Sequence, residues 1–411
     1  MVEGMILVIV LGVFMVEAYL LLINYKQKDL DLPENVRDIY DEERYQKWRN
    51  YSAENMKLMF SKRTVNIVLI LVFLFAGIFA WIENVAMDIA SNSMLLQTLV
   101  FLGIYEIITF IIGLPFGYYQ TFSIEERYGF NKTTKKTFVL DKVKSLLMMV
   151  ILGGGLVALL FSVYQAFEDQ LLVFVLIAWA AIMLIMVLIS YLYTAVFVKI
   201  FNKIEPLEEG ETRVKIEALA KDIGFKVKAI SKMDASKRST KLNAFFSGYG
   251  KQKEIVLFDT LLEKMSDEEI LSVLAHEFAH GKHKDVVRMF VEQAVQIGLY
   301  MGLFAIVLQS SAVYQAFGLS EGFFGFGLVV FALLVRPLDF ILGIGTSYLS
   351  RKAEYKADKF SVELLGKETM ISALKLLARE SLSDLHPHPW YVRVYYSHPP
   401  MAIRIGAIET L

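Results

Sequence analysis

The sequence contains no cysteine, and this absence limits the chemistry that the protein can use. Disulfide bonds and thiolate zinc ligands are excluded, so a metal site must be built from histidine and carboxylate side chains. Basic residues are not in excess either, because 42 Lys and Arg residues are balanced by 43 Asp and Glu residues. Overall charge therefore gives no indication of a nucleic-acid partner, and the placement of the charges is more informative than their sum.

Charged residues are scarce over long stretches, and apolar runs replace them. Hydrophobic residues make up 55% of the 411-residue chain, and the mean hydropathy is +0.48, which is unusual for a soluble protein. Each run is about long enough to cross a hydrocarbon layer roughly 30 Å thick as a helix. The seven runs are residues 5–24, 65–82, 95–118, 146–163, 171–198, 291–314 and 323–348. The sequence therefore predicts an all-α multi-span membrane protein.

Positive charges lie on one side of this predicted arrangement. Of the 42 Lys and Arg residues, 41 fall in four segments: 25–63, the loop between runs three and four, 199–288, and the part after run seven. The connecting segments on the opposite side of the predicted membrane contain no Lys or Arg. The positive-inside rule then places the N-terminus outside and the C-terminus in the cytosol. We expect an integral membrane protein of the cell (inner) membrane, with the endoplasmic reticulum as the alternative.

The stretch 271–285 contains His276, Glu277 and His280 in the pattern HExxH. Two histidines four residues apart on a helix project from the same face and can bind one ion. A capping box at 266–269 predicts that this helix begins well before His276. A catalytic zinc ion needs three protein ligands and an open fourth position, and Glu277 would take a proton from the water there. The alternative is a helix that carries surface histidines.

The segment around this motif has the composition of a soluble domain. Residues 214–223 predict a short helix, and residues 225–231 alternate apolar and polar side chains as a strand does. Residues 242–248 and 254–259 predict a hairpin closed by a Gly-Lys turn. An edge strand just ahead of the HExxH helix could pair with an extended substrate backbone.

A third ligand must come from elsewhere in the chain, and Glu354 and Asp358 are candidates. They are four residues apart and share a helix face. One carboxylate could bind zinc while the other accepts a hydrogen bond from a ligand imidazole. The alternative is a solvated helix face, since Lys and Arg neighbours offer salt-bridge partners, and spacing alone favours it.

Ionisable residues inside the predicted spans are energetically expensive and usually contact a cavity or a partner. They include Glu17, Glu106, Glu292, Arg336 and Asp339. Because Arg336 and Asp339 are three residues apart, we expect them to pair with each other. The other residues leave open a polar interior between the helices.

HEFAH at 276–280 together with SRKAEYKAD at 350–358 resembles the type I CAAX prenyl proteases, which are integral membrane zinc metallopeptidases of the M48 family. Similar blocks occur at 121–132, 201–207, 234–246, 255–261 and 396–404. The resemblance implies seven transmembrane helices around an intramembrane chamber, with a small α+β gluzincin-like catalytic insertion. It divides the chain into helices one to five (1–198, with cytosolic loops 25–63 and 119–144), the insertion (199–290), helices six and seven (291–349) and a cytosolic C-terminal region (350–411).

The resemblance also implies a role for individual residues. The zinc ligands would be His276, His280 and Glu354, with Glu277 as the general base. Asp358 would orient a histidine ligand, and His398 and Arg404 would stabilise the oxyanion. The substrate backbone would be held by Asn243, Ala244 and Phe245.

The expected partners are one zinc ion per chain, a peptide or protein substrate and the lipid bilayer, with no nucleic acid and with a monomeric protein. The leading interpretation is removal of the last three residues of a prenylated CaaX tail. One alternative is a quality-control protease that cleaves misfolded or jammed membrane proteins. Another is a seven-span receptor or transporter with an incidental HExxH, which predicts that Glu354 and Asp358 lie far from His276.

Overall fold

The computed structural model describes residues 1–247 and 254–411, which are mainly helical. In the first half of the chain the helices are α1 (Val2–Gln27), α2 (Glu42–Phe75), α3 (Ile78–Ile89), α4 (Met94–Tyr119), α5 (Lys135–Met148), α6 (Gly154–Ala166), α7 (Leu171–Leu192) and α8 (Lys199–Phe201). The later helices are α9 (Glu211–Asp222), α10 (Asp259–Lys264), α11 (Asp267–Lys282), α12 (Asp285–Leu308), α13 (Ser311–Ala316), α14 (Phe324–Leu365), α15 (Lys367–Ser381), α16 (Pro389–Tyr395) and α17 (Met401–Glu409).

Seven helical stretches of the described chain are long and apolar enough to cross a membrane, as the sequence predicted. Three of them contain a π-helical turn, at Gln120–Glu125, Met149–Gly153 and Tyr193–Val198. The second span differs from the predicted run 65–82, because α2 ends at Phe75. Gly77 then adopts a left-handed φ of 69°, which glycine tolerates and which starts α3 in a new direction.

The seven spans form a ring. Each span contacts the next one along the chain, and α14 closes the ring against α1. In the most apolar 18-residue part of the third span, only 6% of the residues are buried. A close-packed bundle would bury an inner stripe on every helix, so neighbouring helices cover little of this part of the third span.

One end of α14 packs closely against α12 and α13. A Cβ atom added at Gly327 would lie 2.7 Å from a methyl carbon of Leu308 and 2.8 Å from the hydroxyl of Tyr314. Tyr314 is fully buried and has little room to move. Glycine at this position therefore allows the approach of the helices.

The insertion contains a four-stranded sheet in the order β1 (Ile204–Pro206), β2 (Ala229–Met233), β4 (Glu254–Phe258) and β3 (Ala244–Ser247). The predicted hairpin pairing of the last two strands is present, because β3 and β4 are antiparallel. The Gly-Lys turn predicted between them lies outside the described residues. The strand predicted at 225–231 begins later, at Ala229.

The expected pairing of Arg336 with Asp339 is wrong. Arg336 Nη2 lies 3.5 Å from Glu17 Oε1 on α1. Asp339 instead accepts hydrogen bonds from Tyr300 at 2.6 Å and Gln296 at 3.1 Å on α12. The two side chains leave α14 toward different neighbouring helices, which their spacing along the helix did not reveal.

Candidate active site and metal centre

The histidine pair lies on α11, whose start is fixed by side-chain caps. Ser266 Oγ accepts a hydrogen bond from the backbone N–H of Glu269 at 3.3 Å, and the Glu269 carboxylate accepts one from the backbone N–H of Ser266 at 3.0 Å. This capping box confirms the predicted helix start. The helix begins at Asp267, nine residues before His276, so that His276 and His280 share a regular helical face.

Glu354 and Asp358 are on α14, which continues without a break from the seventh span into the site. Helix α11 crosses α14, and Ser272 Oγ lies 3.0 Å from Ser361 Oγ at the crossing. Both helices carry small buried residues at helical spacing on these faces, which permits close packing. These residues are Ser272, Ala275 and Ala279 on α11 and Ala353, Ala357 and Ser361 on α14.

Three potential ligand atoms converge where the helices cross. Nε2 of His276 lies 3.3 Å from Nε2 of His280. Nε2 of His276 lies 3.3 Å from Oε2 of Glu354, and Nε2 of His280 lies 3.3 Å from Oε1. One ligand atom from each of the three side chains lies within 4.8 Å of the other two. A tetrahedral ion with bonds of about 2.0–2.1 Å separates its ligand atoms by about 3.3–3.4 Å. Glu354 is only 3% exposed, and its Oε2 has no hydrogen-bond partner among the described residues, so the three side chains fit a metal ion.

Asp358 orients the first histidine. Its Oδ1 lies 2.8 Å from His276 Nδ1, which leaves Nε2 of the ring for a metal. Arg404 holds Asp358 in turn, through two hydrogen bonds at 2.9 and 2.5 Å. Arg404 is only 6% exposed. Its Nη1 also lies 3.8 Å from Glu354 Oε2.

A second orienting carboxylate, Asp285, was missed in the sequence. Its Oδ2 lies 2.9 Å from Nδ1 of His280. Lys284 adopts a left-handed φ of 58° between α11 and α12, and this turn returns Asp285 to the last turn of the HExxH helix. The available signal was an acidic residue five positions after His280, but spacing alone does not predict the turn.

Comparison with known proteins identifies the family. Residues 21–203 match the family model described as the CAAX prenyl protease N-terminal domain with five membrane helices. Residues 206–411 match the model of peptidase family M48. The chain belongs to peptidase family M48.

Individual relatives cover nearly the whole M48 chain. A "CAAX prenyl protease 1 homolog" of Oryza sativa is 33% identical over 385 residues, which are 92% of this chain and 90% of the relative. "CAAX prenyl protease 1" of Saccharomyces cerevisiae is 31% identical over 422 residues, 96% and 92% of the two chains. The crystal structure of S. mikatae Ste24p has a TM-score of 0.93 at 31% identity and covers 98% of both chains.

These findings make the protein a multi-pass membrane metallopeptidase. Glu354 and Asp358 directly contact His276, so the alternative of a receptor or transporter with an incidental motif is wrong. A peptidase acts on peptide or protein substrates, and the seven spans lie in a lipid bilayer.

Two further side chains, those of His398 and Glu277, lie beside the M48 metal site. His398 Nε2 is 3.4 Å from Glu354 Oε1, and the His398 side chain is 62% exposed. Its Nδ1 lies 2.9 Å from Ser397 Oγ. Glu277 is half-buried and forms no side-chain hydrogen bond within the described part of the chain, so its carboxylate is free to accept a proton.

The edge strand β3 contacts the HExxH helix. The carbonyl of Asn243 accepts a hydrogen bond from the N–H of Phe258 on β4 at 3.1 Å. Because antiparallel backbone groups alternate in direction, the N–H and C=O groups of Ala244 and Phe246 point away from β4. The Phe245 ring packs at 6.1 Å from Tyr193 of the fifth span.

Lys241 connects this strand to the membrane helices. Its Nζ lies 3.2 Å from Glu125 Oε2 in the π-helical turn that ends the third span, and it donates to Tyr51 Oη at 3.0 Å. The carbonyl of Lys241 accepts a hydrogen bond from Thr260 at 2.9 Å. The segment just before β3 is thus fixed to the third span through the Lys241 side chain and to α10 through the Lys241 carbonyl.

Protons and a metal ion compete for the histidine pair. Burial disfavours the charged form of His276, but hydrogen bonds with Asp358 and Glu354 outweigh burial and raise its pKa to about 9. Burial also opposes protonation of His280, and the hydrogen bond with Glu354 outweighs it, so this pKa is raised too. A metal binds neutral imidazole, so binding must release protons at neutral pH.

Proposed function

We propose that this M48 metallopeptidase binds one zinc ion and removes the last three residues of prenylated CaaX proteins. The observation that carries the proposal is the His276, His280 and Glu354 triad at the end of a membrane-spanning helix. The relatives that match it over most of their length are called CAAX prenyl protease 1. Two imidazoles and one carboxylate form the ligand set of catalytic zinc in several peptidases.

The proposed reaction is hydrolysis of one peptide bond. Bound zinc would supply Lewis acidity at the scissile carbonyl and lower the pKa of water. Glu277 takes the proton of that water as the oxygen attacks the carbonyl carbon, and it delivers the proton to the departing amine nitrogen. The Glu277 carboxylate accepts no competing hydrogen bond from the residues that the structure describes, which supports this role.

His398 is proposed to donate a hydrogen bond to the oxyanion, because its ring is exposed and its Nε2 is close to Glu354. Arg404 is proposed to act as a positioning residue through Asp358 and His276. The outward backbone groups of Ala244 would pair with an extended substrate, next to Asn243 and Phe245.

The membrane setting is part of the proposal. The chamber inside the ring of helices would accommodate a prenyl chain next to the cleavage site. The one-sided distribution of Lys and Arg supports an outside N-terminus and a cytosolic site. We propose the cell membrane rather than the endoplasmic reticulum as the location, and a monomer as the active form.

A cleavage assay with three substrates tests the proposal. The purified protein is incubated with a farnesylated CaaX peptide, with the same peptide lacking the lipid, and with an unfolded membrane protein. We expect release of the tripeptide from the farnesylated peptide at a much higher kcat/KM, and no release by Glu277→Gln. Preference for the unfolded protein would instead support the quality-control alternative, which the names of the relatives do not favour.

A further inference from the structure

A cavity of about 310 Å³ lies between α1, α2, α4 and α14, within the ring of membrane spans. Most of its lining is apolar and includes Val10, Phe14, Ile70 and Leu333. Three charged side chains also line it. They are Glu17, Arg63 and Arg336, one from each of α1, α2 and α14.

These three side chains carry an uncompensated positive charge. Arg63 Nη1 lies 3.2 Å from Glu17 Oε2, and Arg336 Nη2 lies 3.5 Å from Glu17 Oε1. One carboxylate therefore serves two guanidinium groups, which leaves a net charge of +1. Unpaired charge at membrane depth is energetically costly.

Two polar atoms beside the ion pairs make no well-aligned hydrogen bond within the described part of the chain. Arg63 Nη1 and Tyr395 Oη are buried without a hydrogen bond to any described residue. Nη1 is close enough to Glu17 for an ion pair but is not oriented for a hydrogen bond. The guanidinium carbon of Arg63 lies 5.8 Å from the centre of the Tyr395 ring. The Arg336 side chain is 58% exposed although it belongs to a membrane span. Guanidinium donors from α2 and α14 therefore line the cavity.

We propose that this cavity binds one anionic group attached to an apolar chain. A carboxylate or phosphate oxygen would accept hydrogen bonds from Arg63 and Arg336, and its single charge would neutralise the cluster. The apolar lining would contact the attached chain. Bare water or a small ion would leave that lining without an apolar partner.

This site is separate from the proposed cleavage site. Arg336 and Glu354 are eighteen residues apart on α14, which is about 27 Å at 1.5 Å per residue. Three residues of extended substrate span only about 10 Å. The carboxylate of a CaaX tail bound for cleavage therefore does not reach Arg336, and the inference does not depend on the proposed function.

Binding of matched anionic and neutral amphiphiles tests the proposal. The full chain is delipidated in a neutral detergent and titrated with oleate, oleyl alcohol, phosphatidylglycerol and phosphatidylcholine, and bound molecules are counted by native mass spectrometry. We expect one oleate or one phosphatidylglycerol per chain, at an affinity at least about tenfold above its neutral counterpart. Which anion binds identifies a carboxylate or a phosphate ligand. Equal binding of anionic and neutral probes, or no binding, would overturn the proposal.

Two variants with opposite expected effects separate ligand binding from a structural role. Arg336→Gln should weaken anion binding by about tenfold or more, whereas Glu17→Gln should strengthen it because both arginines become free. Lys142→Gln is the matched control, since Lys142 is a membrane-helix cation at another apolar groove and forms no ion pair with described residues. Weaker binding by Glu17→Gln, or an equal loss in Lys142→Gln, would show that the arginines are not a ligand site. Zinc content and thermal unfolding check that each variant is folded.

Discussion

Asp285 has a structural role that can be tested separately from catalysis. In Asp285→Asn an amide oxygen can still accept the hydrogen bond from Nδ1 of His280, but the negative charge that makes the ring a better ligand is lost. Removing such an orienting carboxylate typically lowers metal affinity by 10- to 100-fold. That loss corresponds to about 1.4–2.7 kcal/mol. Asp285 also lies in the first turn of α12, where a charge stabilises the helix by only about 0.3–1 kcal/mol.

The magnitudes predict that zinc affinity falls more than folding stability in Asp285→Asn. Asp358→Asn should behave differently, because Arg404 would lose its buried counter-ion, which typically destabilises a fold by about 3–5 kcal/mol. Glu363→Gln is the control, since Glu363 is an exposed carboxylate on the ligand-bearing helix α14.

The assay is a competition titration of each purified variant with a zinc-binding fluorophore, together with a thermal unfolding curve. We expect weaker zinc binding and a nearly unchanged unfolding temperature for Asp285→Asn, and a reduction in both zinc affinity and unfolding temperature for Asp358→Asn. Zinc affinity of Asp285→Asn within twofold of the wild type would refute the role assigned to the contact between Asp285 and His280.

Three further predictions follow from the geometry. His276 is protonated below its pKa of about 9, and zinc must displace that proton. Between pH 7 and 9, zinc affinity should therefore rise about tenfold per pH unit for each proton displaced, and it should level off above pH 9. A zinc affinity that does not change with pH would contradict this. Lys241→Met removes the ion pair with Glu125 and should raise KM for a peptide substrate without loss of zinc. Lys241→Arg keeps the charge and should restore KM. An unchanged KM in Lys241→Met would exclude a role of Lys241 in positioning β3. Gly327→Ala should destabilise the protein by about 1–3 kcal/mol through overpacking, whereas Gly345→Ala on the same helix, where a Cβ meets open space, should not lower the unfolding temperature.

The local part of the site was predictable from the sequence because it depends on neighbouring residues. The capping box at Ser266 and the four-residue spacing of His276 and His280 act within one helix. Glu354 needed the resemblance to a family, because it reaches the histidines only after two membrane spans. Its spacing from Asp358, taken alone, favoured a solvated helix face.

Other features depend on how helices meet, which helical spacing does not encode. Arg336 and Asp339 were expected to pair, but α1 offers Glu17 to the first and α12 offers Tyr300 to the second. The contact of Arg404 with Asp358 likewise follows from the packing of α17 against α14.

Zinc content is the measurement that tests the central claim most directly. Three proteins are purified identically: the wild type, Glu277→Gln and Glu354→Gln. The number of zinc ions per chain is then measured by elemental mass spectrometry. The account predicts one zinc ion in the wild type and in Glu277→Gln, because Glu277 is not a ligand, and far less than one in Glu354→Gln. Full zinc occupancy in Glu354→Gln, or none in the wild type, would contradict it.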